Sequence, residues 1–339
     1  MATQHTSLAV KYRPQKFEDV CGQDTVKQIL KHQIDTKTFR QAYLMAGHFG
    51  TGKTTVARIF ARMVNACNND IIEIDAATYN SVDQIRVIAD EARKKPLVGK
   101  YKIFVLDEVH MLSSAASNAF LKILEEPPAT AMFLLCTTDP QKLLSTILSR
   151  VQRYDFTSVP IKLVIERLRY IARAENIVID DPSIEYIAKL SGGGMRDAIS
   201  MLDKVSSLNS NITIDQVASA LSVVSYSHHL ALLKALIDKD TESAVKIVYN
   251  VSDSGSDMRK FMSQFMWTVC DVCNYFIFKS FEYINIPELD EYKQQMNNMN
   301  MTDCLTILNW SKQLCADIRN DADPKDNILV SIMLFTNRR

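Results

Sequence analysis

The sequence lacks any apolar run long enough to span a bilayer, and it lacks a charged-then-apolar leader; its opening, Met1-Ala2-Thr3-Gln4-His5, is polar. A cytoplasmic protein without membrane contacts is expected. It also lacks an excess of charge of either sign, since 39 Lys and Arg face 39 Asp and Glu. That argues against a simple basic DNA-binding module and leaves open contact through a local patch or through backbone amides. A disulfide framework is missing too, because seven cysteines lie scattered over 339 residues, an odd number in a chain that is not small. They read as reduced thiols. There is no internal repeat and no low-complexity tail. What is there is 47% hydrophobic and 23% charged, the balance of a soluble globular protein. Its length predicts two or three domains.

The first half alternates apolar runs with amphipathic stretches. The runs are Tyr43–Ala46, Ile71–Ile74, Ile103–Leu106 and Met132–Cys136, each bounded by polar or turn residues. Between them lie segments with helical spacing, such as Val56, Ile59, Phe60 and Met63. Strands alternating with helices predict a parallel sheet covered on both faces. Near Val159-Pro160 the character changes, and helical periodicity continues with Leu163, Ile165, Leu168 and Ile171. Pro182 fits a helix start, Gly192-Gly193-Gly194 breaks one helix before another begins at Met195, and Ser206–Asn211 marks a turn. From about Tyr226 the chain reads as a helical bundle. The fold class is therefore α/β followed by all-α.

The strongest signal is Gly47-His48-Phe49-Gly50-Thr51-Gly52-Lys53-Thr54, followed by Thr55. It matches G-x-x-x-x-G-K-[ST], placed between an apolar strand and a helical stretch as the phosphate-loop motif requires. Glycines let backbone N–H groups wrap a phosphate without Cβ clashes, and the helix N-terminus adds a favourable dipole. Lys53 supplies a point charge for the β/γ-phosphates, and Thr54 offers a hydroxyl to Mg²⁺. The competing reading is a glycine-rich turn that happens to carry Lys-Thr.

Ile103–Leu106 runs into Asp107-Glu108. The C-terminal edge of a parallel sheet faces the ligand crevice. Adjacent strand residues point to opposite faces, so the two carboxylates cannot share a task. Asp107 suits Mg²⁺, and Glu108 suits orientation or deprotonation of the attacking water. An isolated acidic pair would be a solvated strand end. Behind a phosphate loop it reads as a Walker B motif, and two carboxylates argue for hydrolysis over binding alone.

Beyond these motifs the residues resemble one family. Tyr12-Arg13-Pro14-Gln15-Lys16-Phe17-Glu18-Asp19-Val20-Cys21-Gly22-Gln23 resembles the adenine-side N-terminal segment of clamp-loader subunits. Asp107–Leu112, Leu124-Glu125-Glu126-Pro127-Pro128, Thr137–Lys142 and Ile147-Leu148-Ser149-Arg150 are similar to their later motifs. The combination looks like the gamma/tau motor subunits of bacterial-type DNA polymerase III clamp loaders, most clearly over about the first two hundred residues. The resemblance implies an AAA+ fold with a nucleotide-binding domain over residues 1–160, a helical lid over 161–223 and a helical collar over 224–339 that assembles a pentameric ring. It implies ATP and Mg²⁺ as ligands, with Arg13 and Val20 on the nucleotide. Thr138 would be the sensor of the γ-phosphate and Arg196 the lid sensor. Arg150 would be an arginine finger acting in trans. The implied partners are delta- and delta-prime-like subunits or further copies of this chain, a sliding clamp and primer–template DNA. The compartment would be the cytoplasm of a bacterium, or of a host cell if a phage encodes the chain. Taken alone, Arg196 beside Asp197 reads as a surface ion pair and Arg150 as a solvated loop residue.

The sequence departs from that family in places. Its relatives carry a four-cysteine zinc module after the phosphate-loop helix, whereas Asn65–Asp70 holds only Cys67, so no zinc is expected. Val151 replaces the usual cysteine after Ser-Arg, and Ala77–Asp83 lacks the basic residues often found there. The end at Arg339 suggests a short, gamma-like form. Cys270-Asp271-Val272-Cys273 has no second pair at metal spacing and reads as helix packing. His228-His229 reads as a solvated helix feature, and Met296, Met299 and Met301 as a loop or contact surface. Arg93-Lys94-Lys95 reads as a solvated helix end and Ser113-Ser114 as a helix start. Two other functions stay open: a helicase or branch-migration motor on the same core, and a non-hydrolysing delta-prime-like subunit. The second would be expected to have a broken phosphate loop.

Overall fold

The computed structural model describes residues 6–65, 68–208, 211–221, 226–281, 284, 286, 290–321 and 323–337. The sequence interval read for zinc includes Ala66 and Cys67, and the turn over 206–211 includes 209–210; those positions lie outside the described residues. In chain order the helices are α1 (Leu8–Lys11), α2 (Asp24–Thr36), α3 (Lys53–Asn65), α4 (Val82–Arg93), α5 (Ser114–Glu125), α6 (Ser145–Leu148), α7 (Ile161–Ala174), α8 (Asp181–Leu190), α9 (Met195–Ser206) and α10 (Ile214–Ala220). They continue with α11 (Tyr226–Ile237), α12 (Thr241–Asp253), α13 (Met258–Phe278), α14 (Asp290–Asn297), α15 (Met301–Asp317) and α16 (Pro324–Thr336). The strands are β1 (Ala42–Gly47), β2 (Ile71–Asp75), β3 (Lys102–Asp107), β4 (Ala131–Thr137) and β5 (Gln152–Phe156). No described helix is long and apolar enough to cross a membrane.

The chain forms two compact units. The first comprises residues 1–174 and 191–203 and is built on a five-stranded sheet in the order β2-β3-β4-β1-β5. All its pairings are parallel. Alternate residues of the same strand feed opposite cores. Leu44, Phe104, Leu106, Phe133 and Leu135 pack with residues of α4 and α5. Tyr43, Met45, Ile103, Val105, Met132 and Leu134 pack with residues of α2 and α3. Burial on both faces is why β1, β3 and β4 are continuous apolar runs. The sequence reading found four strands and missed β5. Gln152–Phe156 alternates, with only Tyr154 and Phe156 buried, as befits an edge strand. The helix starts follow their caps. Ser113 accepts from Ala116 N at 3.2 Å to begin α5, and a Ser81–Gln84 capping box begins α4. In α7 the buried face is Val164, Leu168, Ile171 and Ala172, while Leu163 and Ile165 are only half-buried.

The second unit comprises residues 175–190 and 204–339 and is helical. A single bridge, Ile179 to Ile212, ties the segments before α8 and α10. The core of α11–α16 gathers Leu233, Val248, Phe261, Phe265, Val269, Ile307 and Ile328. His229 is not solvated: it is 2% exposed and packs against Phe261 and Phe265. Its Nδ1 lies 3.1 Å from Thr268 Oγ1, and burial, with His228 adding to it, pushes its pKa down to about 3. Met296 and Met299 are core residues, not a contact surface. Flanking asparagines disguised them, yet a thioether fills irregular gaps between helices. Cys273 is buried and Cys270 half-buried, as packing residues of α13.

Candidate functional site

The site grows from the carboxyl ends of β1, β3 and β4, which the strand order sets side by side. β1 ends at Gly47, where a Cβ would lie 2.3 Å from the Phe156 carbonyl oxygen, so only glycine lets the loop leave the sheet this close to β5. The loop then turns through Gly50 (φ +69°) into α3, which starts at Lys53. Lys53 is 6% exposed, and its Nζ donates to the carbonyls of Gly47 and His48 at 2.8 and 2.7 Å. Burial lowers its pKa, opposed by the carboxylates of Glu108 and Asp107. Thr51 Oγ1 donates to His48 O at 2.9 Å, closing the loop on itself.

Thr54, one residue into α3, donates its hydroxyl to Asp107 Oδ2 at 2.8 Å. Two hard oxygen donors from different elements thus meet beside the loop, the donor set that Mg²⁺ prefers. Asp107 Oδ1 accepts from the Glu108 amide at 3.1 Å. Glu108 lies beyond the end of β3, in the left-handed region with φ +48°. The two carboxylates do part as expected, but a turn separates them and not strand alternation. Glu108 Oε2 accepts from Thr138 Oγ1 at 3.0 Å and from Thr138 N at 3.3 Å. The acidic strand end and the sequence-predicted sensor are therefore direct partners.

The cleft above the loop is lined by Tyr12, Arg13, Pro14, Cys21 and Val159, by Phe49 to Thr55, by Asp107 and Glu108, and by Met195, Arg196 and Ile199. Arg13 and Arg196 are both in it. The Arg13 pKa is lowered, by burial first and then by the like charges of Arg58 and Arg196. Gly47, His48, Val20 and Thr138 do not line it. Gly47 and His48 act through their carbonyls, and Val20 is buried with its side chain toward Gly52. The N-terminal segment is held over the cleft from outside: Arg167 donates to Tyr12 O at 3.0 Å, and Leu8 N donates to Asp203 Oδ2 at 3.0 Å. Gln23 Nε2 bridges Thr157 O at 2.6 Å and Thr51 O at 3.4 Å. Arg196 is placed by backbone: Met195 N donates to Gly50 O at 3.0 Å, and Gly50 and Gly194 touch so closely that a Cβ on Gly50 would meet Gly194 Cα at 3.0 Å.

Arg150 stands apart. It follows α6, does not line this cleft, and donates to Glu125 Oε1 and Thr146 O, each at 2.8 Å. Sequence reasoning missed Tyr12, Pro14 and Cys21 as lining residues although they sit inside the segment that flagged Arg13 and Val20. It also missed Val159 and Ile199, whose only local mark is an apolar side chain. Cys136, fully buried beneath Lys53 and Thr54, carries a thiol that burial pushes far up and so is held as an uncharged packing group.

This sheet order, with a phosphate loop leaving β1 and an acidic pair after the neighbour-but-one strand, is the plan of an AAA+ P-loop protein. Solved structures carry the same fold: a Thermotoga maritima RuvB Holliday junction branch migration motor superposes with a TM-score of 0.52, covering 67% of this chain and 79% of that one at 23% identity. Residues 68–160 match the family of the DNA polymerase III delta subunit, and residues 163–205 match the ATPase lid domain of the DNA polymerase III clamp loader subunit. The chain is 36% identical to DNA polymerase III subunit tau of Bacillus subtilis, covering 89% of this chain and 58% of that protein. It is 30% identical to the gamma/tau subunit of Mycoplasma genitalium, covering 98% and 58%. With Escherichia coli subunit tau it shares 33%, covering 73% and 42%. The chain belongs to the DNA polymerase III gamma/tau family, and it spans 58%, 58% and 42% of the length of these three relatives.

Proposed function

We propose that this chain is the ATP-hydrolysing motor subunit of a sliding-clamp loader. The observation that carries the reading is the meeting at one sheet edge of Lys53, the Thr54–Asp107 pair and the Glu108–Thr138 pair, with Arg196 brought in by the Gly50–Met195 bond. The gamma/tau relatives support the clamp-loader reading over a branch-migration motor or a non-hydrolysing subunit. In this reading the chain has three working parts, residues 1–160 for nucleotide, 161–223 as lid and 224–339 as collar.

Gly50, Thr51 and Gly52 offer backbone N–H groups to the phosphates, and Lys53 exchanges its two carbonyl partners for β/γ-oxygens. Thr54 and Asp107 would hold Mg²⁺, whose charge neutralises that building up on the phosphates. Arg13 and the apolar wall of Tyr12, Pro14, Cys21, Val159 and Ile199 would take the base and ribose. Thr138 turns its hydroxyl to the γ-phosphate, which withdraws one donor from Glu108. The Glu108 carboxylate then accepts a proton from water as the water oxygen attacks the γ-phosphorus. The β–γ bridging bond breaks with its electron pair going to ADP. Arg196 in the same subunit and Arg150 of a neighbouring subunit would stabilise the charge that develops. Closure of neighbouring subunits across bound ATP would hold a clamp open around primer–template DNA, and hydrolysis would release it. The other ring positions would be filled by delta- and delta-prime-like subunits or by copies of this chain.

The test is ATP turnover by the assembled complex with primed DNA, with clamp, and with both. Strong stimulation by both together is expected. Turnover that responds to a four-way junction and ignores the clamp would transfer the chain to the branch-migration class.

A further inference from the structure

Beside Glu108 sits an imidazole for which phosphate-loop chemistry has no evident use. His110 lies in the short turn Val109–Met111, and its side chain is 10% exposed. Its Nδ1 is 3.1 Å from Thr137 Oγ1 and 3.3 Å from Glu108 Oε2. Thr137, the last residue of β4, is fully buried, and its Oγ1 already accepts from Asp139 N at 3.1 Å. The tautomer follows from the partners. An ionised carboxylate only accepts, so a bare Nδ1 lone pair facing Glu108 would be repelled, whereas an Nδ1–H bonded to Thr137 turns its positive end toward the Glu108 carboxylate 3.3 Å away.

We propose that His110 is a positioning residue that holds the Glu108 carboxylate in its working orientation while Thr138 is drawn away to the γ-phosphate. This rests on the ATPase reading above. Two hydrogen bonds end on Oε2, from the Thr138 amide and the Thr138 hydroxyl, and the His110 Nδ1 lies beside it at 3.3 Å. The backbone does not fix this carboxylate by strand geometry, because Glu108 has already left β3 with φ +48°. Its direction depends on what grips Oε2. Thr138 cannot donate one hydroxyl hydrogen to Glu108 and to a phosphate oxygen at once. When it turns, His110 and the Thr138 amide keep Oε2, and Oε1 stays free to take the proton from water. Thr137, packed in the sheet and bonded to Asp139, is the fixed post against which the imidazole leans.

The experiment measures kcat in the assembled complex with clamp and primed DNA, and ATP affinity of the isolated chain, for His110→Ala, His110→Asn and His110→Gln. Loss of carboxylate alignment is expected to lower kcat about tenfold in His110→Ala with the ATP Kd unchanged. His110→Asn places an amide N–H where Nδ1 stood and is expected to recover kcat to within about threefold; His110→Gln carries its amide one bond further and is expected to stay low. In a Glu108→Gln background His110→Ala is expected to cost nothing more, since the two act as a unit. Wild-type kcat in His110→Ala, equal kcat in the Asn and Gln variants, or an undiminished loss in the Glu108→Gln background would each overturn the proposal. A wild-type complex that binds ATP yet never turns it over is a different result: it removes the ATPase reading and this inference with it.

Discussion

At the scale of single residues, the chemistry turns on which oxygen or nitrogen each polar group spends on its neighbours. Lys53 is satisfied by two carbonyls of its own loop, so its buried charge is paired before any phosphate arrives, and in the proposed function it exchanges these partners for phosphate oxygens. Lys53→Ala is expected to weaken ATP binding by about 2–5 kcal/mol, read by titration calorimetry on the isolated chain. Glu108→Gln is expected to keep ATP affinity and to cut turnover by roughly 10²–10⁴. A different residue governs acid stability. His229 is buried neutral with its pKa near 3, against 6.5 for an ordinary histidine. The unfolded chain therefore binds the extra proton first, and the stabilising contribution is whole above pH 6.5 and declines as pH falls toward 3. Thermal or urea unfolding at pH 7, 6 and 5 should show that decline at up to about 1.4 kcal/mol per pH unit, and His229→Phe should lack it. Phosphate-loop and acidic residues were legible because their motif is local. The burial of His229 was not, because nothing in its neighbourhood along the chain announces Phe261, Phe265 and Thr268 around it.

At the scale of elements, most of the sheet could be read in advance. β1, β3 and β4 are sealed on both faces and had no room for polar residues, so their runs stood out. β5 escaped because an edge strand may alternate and still pair fully on one side. Its value to the site is indirect: its last residue crowds Gly47. Gly47→Ala must push β5 away from β1 or bend the loop, and is expected to cost about 1–3 kcal/mol of stability by thermal unfolding and to weaken ATP binding as well. The turn entering β3 has its own anchor. Asp70 is 1% exposed and accepts from the amides of Leu97, Val98 and Gly99 at 2.5, 2.8 and 2.6 Å. Burial alone would raise its pKa, but those three donors outweigh it and the net shift is downward. The contribution is thus present at neutral pH and disappears as pH falls through the depressed value.

At the scale of the whole molecule, the sequence spoke unevenly. The α/β half is a chain of motifs, each with a reason for its spacing. The helical half carries no motif, and only the three-dimensional core shows that Met296 and Met299 face inward. In the function proposed above, Arg150 is the residue whose role belongs to the assembly. It reaches Glu125 and not the cleft of its own chain, which suits a task on another subunit's nucleotide. Arg150→Ala is expected to leave ATP binding by the isolated chain unchanged and to lower turnover of the assembled ring by roughly 10³–10⁵. Unchanged ring turnover would count against the trans role.

The bond from Met195 N to Gly50 O has one more consequence. Because donor and acceptor are both main-chain atoms, and both flanking contacts are glycines, no side chain carries the link between the loop and α9. The two glycines are held to their identity by that close approach, while the Met195 side chain takes no part in the bond itself. Only a change to the polymer itself, such as an ester in place of the amide at position 195, would sever it while leaving every side chain where it was.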